Sequence, residues 1–143
     1  MKVTIFLSHT KEVEEDIKEI EIAIHRAYQD SDIKLIIEHY SESDKSFHTE
    51  GYQSRLNDIL VSCDILYIFL ERRVGQYTEE EFWTGYKSFQ KRRLPYLSVF
   101  FKKFTLSDDA SDEEWEHANY RRKFKKELSS LDGNQYIIEP LAN

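Results

Sequence analysis

The sequence predicts an α/β domain built on a parallel five-stranded sheet, and three observations lead there. Short apolar runs alternate with longer stretches in which apolar residues recur every third or fourth position. The run Ile65-Leu66-Tyr67-Ile68-Phe69-Leu70 has no charged member, as expected of a central strand covered on both faces. At 143 residues and 40% hydrophobic, the chain can bury one core but is short for two ordinary domains, so residues 1–143 read as one domain.

The elements follow in order. Val3 to Leu7 is a short strand, and Ser8, His9 and Thr10 after it can end a strand and cap a helix. From Lys11 to Tyr28, the residues Val13, Ile17, Ile20, Ile24 and Tyr28 form one apolar stripe of an amphipathic helix. Ile33 to Ile37 is a second strand, followed by a long polar loop from Glu38 to Thr49, and Leu56, Ile59 and Leu60 mark a second helix. Asp64 opens the central strand. After the loop Glu71 to Tyr77, Thr78 starts a helix that reaches Gln90, and Pro95 to Phe101 supplies a fourth strand with proline at its start. Ser111 and Glu114 make a helix-start signature before the pattern Trp115 to Leu131; Gly133 can close that helix, and Tyr136 to Ile138 is a last short strand. Such alternation implies right-handed crossovers and a ligand crevice at the carboxyl ends of the strands.

Composition removes several classes of function. Twenty basic against 27 acidic side chains give a net charge of -7, which disfavours nucleic acid as a partner. No run is long enough to span a membrane and no signal-peptide pattern opens the chain, so a cytoplasmic protein, or a domain of one, is expected. Cys63 is the only cysteine and reads as a small buried apolar residue rather than a reactive thiol. The histidines at 9, 25, 39, 48 and 117 show no ligand spacing, so no metal site is expected and each reads as a surface or loop residue. With glycine only at 51, 75, 85 and 133, neither a dinucleotide-binding glycine turn nor a phosphate loop can be drawn. No serine lies in a nucleophile elbow. A phosphoacceptor receiver would need acidic residues after the first strand and Asp ending the third, where this chain has Ser8-His9-Thr10 and Leu70-Glu71-Arg72.

Three segments at strand ends together resemble the TIR superfamily, in its TIR-like domains of bacterial defence and signalling proteins. They are Ile5-Phe6-Leu7-Ser8-His9, the loop Tyr40 to Ser46 in the place of the family's BB loop, and Ser62 to Ile68 followed by Tyr77-Thr78-Glu79-Glu80-Glu81-Phe82. The resemblance implies a flavodoxin-like three-layer sandwich. It further implies an effector domain at the front of a longer protein, with NAD as substrate rather than cofactor, and homotypic association between copies. By the family's pattern of a glutamate, an apolar residue and a small residue, Glu81-Phe82-Trp83-Thr84-Gly85 marks Glu81 as the carboxylate on which NAD cleavage depends. Ser8, Thr10, Asp44, Phe47, Tyr77 and Trp83 are the accompanying substrate-binding candidates.

A lone carboxylate suits that chemistry. Nicotinamide leaves a cationic pyridinium as a neutral base, so the enzyme chiefly has to stabilise an oxocarbenium-like ribose. Thr78-Glu79-Glu80-Glu81 is equally a capping box, with Glu81 bonding back to the Thr78 amide for about 1 kcal/mol of helix stability. Capping explains Ser8 and Thr10 as well as a pocket does, and core packing explains Trp83. Two other classes stay open: a non-catalytic self-association module, and a nucleotide-sensing or nucleoside-transferase domain that also sets a glutamate near a ribose.

Overall fold

The computed structural model describes residues 1–41, 58–59, 62–131 and 137–138. The apolar runs become strands β1 (Lys2–His9), β2 (Lys34–Ser41), β3 (Ile65–Leu70) and β4 (Tyr96–Phe101), with Ile137–Ile138 as β5. All neighbours pair in parallel, in the order β2-β1-β3-β4-β5. Of the five strands expected from sequence, four form the body of the sheet. Four strands have six to eight residues, whereas β5 adds only a two-residue ladder opposite Val99 and Phe100. The strand order is compatible with a flavodoxin-like fold.

Three helices are described in full: α1 (Glu14–Tyr28), entered through a 3₁₀ turn at Lys11–Val13, then α2 (Gln76–Arg92) and α3 (Asp112–Ser129). Asp58, Ile59 and Ser62 also have helical backbone. Alternation along the strands divides the core in two. On one face Ile5, Leu7 and Phe69 are buried with Val13 and, from α1, Ile17, while Ile20 and Ile24 pack against them. On the other face Phe6, Leu66, Ile68, Leu70, Leu97, Val99 and Phe101 are buried with Phe82 of α2 and Phe124 and Leu128 of α3. No helix among the described residues is long and apolar enough to cross a membrane.

Several boundaries move from their expected places. β2 runs on through Ser41, so the first four residues assigned to the polar loop, Glu38 to Ser41, belong to the strand, paired with Phe6 to His9 of β1. A neighbour already in place supplies the ladder that this polar sequence does not itself favour. α3 begins as expected: Ser111 Oγ accepts from the Glu114 amide at 3.2 Å, and Glu114 Oε1 accepts from the Ser111 amide at 3.4 Å. Asp44, Phe47 and Gly133 lie outside the described residues.

α2 does not begin at Thr78. Its N-cap is Gly75, in extended conformation at φ -73° and ψ 147°, and Gln76 is its first helical residue. Thr78 is therefore already inside the helix, and the first turn closes when the Glu79 amide donates to the Gly75 carbonyl at 2.9 Å. The capping box read from Thr78 to Glu81 is overturned, because a residue with helical backbone cannot serve as N-cap.

α2 lies close on the sheet because Gly85 has no side chain. A Cβ there would sit 2.7 Å from Leu66 Cδ2 and 2.9 Å from Leu97 Cδ2, on two buried leucines. Gly85→Ala is expected to lose up to about 2 kcal/mol, since overpacking of about 1 to 3 kcal/mol opposes the roughly 1 kcal/mol gained in helix propensity. Urea unfolding checks this: an unchanged or higher midpoint would show that the leucines give way freely.

Candidate functional site

Thr78, Glu81, Phe82 and Gly85 stand at i, i+3, i+4 and i+7, which puts them on one stripe of α2. All four are buried, Thr78 at 1%, Glu81 at 4% and Phe82 at 0% exposure, with Gly85 against Leu66 and Leu97. The stripe faces the sheet, and its N-terminal end is polar where the rest is apolar. Because α2 follows β3 after a short loop, that polar end lies toward the carboxyl edge of the sheet. This is the edge where ligands bind in open α/β sheets, at the point where strand order reverses, here between β1 and β3.

β1 brings its own polar residues to that point. Ser8 alternates onto the same face as Phe6, the face that α2 covers. It is 1% exposed, and among the described residues its Oγ has no hydrogen-bond partner. Ser8 cannot cap the first helix, since it lies within β1. A buried hydroxyl left in this state costs stability, and such atoms in native proteins call for a ligand, a water or a catalytic explanation.

Thr10 is fully buried in extended conformation and makes no capping bond; its Oγ1 instead donates to Glu12 Oε1 at 3.3 Å. Glu12 also accepts from the amides of Arg72 and Arg73, at 2.9 and 3.2 Å. One carboxylate thus ties the loop after β1 to the loop after β3, across the switch point. No sequence pattern singled out Glu12, because its partners are backbone amides 60 and 61 residues away.

His9 corrects the surface reading made for the histidines. It is 3% exposed at the end of β1, with Nδ1 2.9 Å from the Thr10 carbonyl. A carbonyl only accepts, so Nδ1 carries the proton in this contact.

The carboxyl ends of β3 and β4 carry charge. Lys102 Nζ lies 2.8 Å from Asp16 Oδ2 and 3.7 Å from Glu71 Oε1, and its hydrogen bond to Asp16 raises its pKa above the usual lysine value. The Arg121 guanidinium sits 5.1 Å from the Phe101 ring centroid and 5.0 Å from that of Phe104, and donates to the Lys102 carbonyl at 3.1 Å. Burial lowers its pKa, while Glu12 and Glu71 act in the opposite sense.

Of the remaining candidates, Trp83 is half-buried beside Phe82, with ring centroids 4.9 Å apart, and beside Tyr86 at 5.8 Å, which makes it part of an aromatic cluster. Tyr77 lies in the first turn of α2, with its side chain outside the description. The structure thus buries Ser8 and Thr10 at the end of β1 and Thr78 and Glu81 in the first turns of α2, with Trp83 half-buried on the same helix. Among the described residues, no group of three or more His, Cys, Asp or Glu side chains could hold a metal ion.

Cys63 is 1% exposed, and burial pushes its thiol up to about 12 from 9.0. Native Cys63 should therefore carry roughly a thousandfold less thiolate than a free cysteine at pH 8. The protonated form is favoured in the folded state, so this contribution to stability is present below pH 9 and is lost as pH rises toward 12. Alkylation at pH 8 is expected to follow the unfolding rate, and rapid labelling of native protein would contradict it.

Comparison with protein-family models, with curated proteins and with solved structures yields no match. The fold and its buried groups define a parallel α/β domain with a buried glutamate on the helix that follows β3.

Proposed function

We propose that this chain is a TIR-like domain of flavodoxin-like architecture that cleaves the N-glycosidic bond of NAD, with Glu81 as the central carboxylate. The observation that carries the reading is the position of Glu81: 4% exposed, on the sheet-facing stripe of α2, the helix that follows β3. The capping box no longer accounts for a glutamate at this position, which leaves a ribose-directed role open to it. In this reading Glu81 steadies positive charge at the ribose C1′ as neutral nicotinamide departs. Ser8 and Thr10 lie at the end of β1, where ribose or phosphate oxygens need hydrogen bonds.

The BB-loop position, including Asp44 and Phe47, is assigned to substrate contact and to association between copies, as part of a defence or signalling effector. Incubating purified protein with NAD and following free nicotinamide by chromatography tests the reading; separating ADP-ribose from its cyclic form then distinguishes hydrolysis from cyclisation. Absence of nicotinamide at every concentration, with and without crowding agent, would sink it.

The depth of Glu81 also favours a second reading, in which the carboxylate is structural and the domain acts as a non-catalytic association module. Base exchange on deoxynucleosides without NAD cleavage would point instead to a nucleoside-transferase domain.

A further inference from the structure

β2 is the outermost strand on its side of the sheet, and among the described residues no strand pairs with its far edge. The Lys34 amide donates to the Met1 carbonyl at 2.8 Å, so Lys34 turns its backbone toward β1. Alternation then turns Ile36 and Glu38 the same way, and leaves the N–H and C=O groups of Leu35 and Ile37 facing outward. An eight-residue edge with an apolar centre is a ready template for another strand.

The stretch Lys34-Leu35-Ile36-Ile37-Glu38 complements its own reverse. Set antiparallel to a second copy about Ile36, it places Lys34 opposite Glu38 of that copy, twice by symmetry. Leu35 meets Ile37, and Ile36 meets its own equivalent. The outward-facing Leu35 and Ile37 then exchange both backbone hydrogen bonds, while the Lys34–Glu38 pairs fall at non-hydrogen-bonded positions, where side chains approach most closely. A slip of one residue sets an outward group against an inward one, and a slip of two separates the charges.

A second feature lies beside the same edge. An open groove of about 450 Å³ runs between the end of α1 and the start of β2, and its lining mixes apolar Ile22, Tyr28, Ile33 and Leu35 with polar residues such as Arg26 and Gln29. Ile22 is 55% exposed and Tyr28 43% exposed, so apolar area is available to a copy seated at Leu35.

We propose that two copies of this chain associate edge to edge through an antiparallel β2–β2 ladder centred on Ile36, with the Ile22–Tyr28 grooves flanking the seam. The contact uses neither Glu81 nor the loop after β2, so it stands or falls separately from NAD cleavage. An edge ladder alone buries less than the roughly 1,000 Å² of a stable interface, so reversible association in the micromolar range or weaker is expected.

Charge exchange tests the register. Sedimentation velocity on the whole chain, from micromolar to millimolar, should show a monomer–dimer equilibrium. Lys34→Glu and Glu38→Lys should each weaken the dimer about tenfold or more, because each turns two attractive pairs into repulsive ones. Combining Lys34→Glu with Glu38→Lys should restore it, and mixing the two single variants should give a heterodimer. Circular dichroism establishes that each variant is folded; if Glu38→Lys is not, Lys34→Glu and the double variant decide. A wild-type chain that stays monomeric throughout, or a dimer indifferent to Lys34→Glu, overturns the proposal.

Discussion

Glu81→Gln is expected to remain folded, with stability within about 1 kcal/mol of the parent, and to lose nicotinamide release by at least about a hundredfold. Glutamine keeps the shape and one acceptor oxygen, so the packing of the α2 stripe survives. What disappears is the negative charge, and electrostatic stabilisation in a water-poor site depends on it. The two readings of Glu81 separate at this point. If the carboxylate serves a buried structural pair, removing its charge strands the other partner and costs about 3 to 5 kcal/mol. If it serves the ribose, stability barely moves while turnover collapses. Calorimetry and a nicotinamide assay on one preparation decide, and undiminished turnover in a folded Glu81→Gln protein ends the catalytic assignment. Glu80→Gln is the control, since Glu80 lies off the buried stripe and should keep full activity.

The misplaced start of α2 shows what local sequence can and cannot carry. Thr78 and Glu81 have the residue types and spacing of a capping box, and nothing within a few residues contradicts that reading. What decides otherwise is burial. Thr78, Glu81, Phe82 and Gly85 form one stripe only if helical backbone already extends through Thr78, and the sheet needs that stripe to cover Leu66 and Leu97. Gly75 can cap the helix without a side chain, so the real start leaves no conspicuous signature. Strand and helix identities were legible because period two and period 3.6 are local properties. The Glu12 bridge was not, because only the folded topology brings β1 and β3 side by side. Buried His9 escaped for a related reason: residue type says surface, while its place at the inner end of a central strand says core.

Phe82→Ala is expected to cost about 3 to 5 kcal/mol, the range for removing a buried aromatic ring. Phe82 is fully buried, and its ring lies 4.9 Å from Trp83, 6.1 Å from Tyr86 and 5.8 Å from Phe124, centroid to centroid. These neighbours come from both α2 and α3, so truncation leaves a void that no single side chain can fill by rotating. For a domain of this size the melting temperature should fall by roughly 10 °C or more. Against a typical total of about 5 to 15 kcal/mol, such a loss is large enough to threaten folding at 37 °C. Trp83→Ala should cost less, because Trp83 is only half-buried. The comparison matters for the site, since Phe82 is the anchor immediately following Glu81 on the same stripe. Urea unfolding at 25 °C of both variants, with Phe82→Leu as a milder step, gives the ranking. If Trp83→Ala proves the more damaging, α2 is held by the outer aromatic cluster rather than by the buried stripe. Glu81 would then lose the rigid support on which its assignment rests.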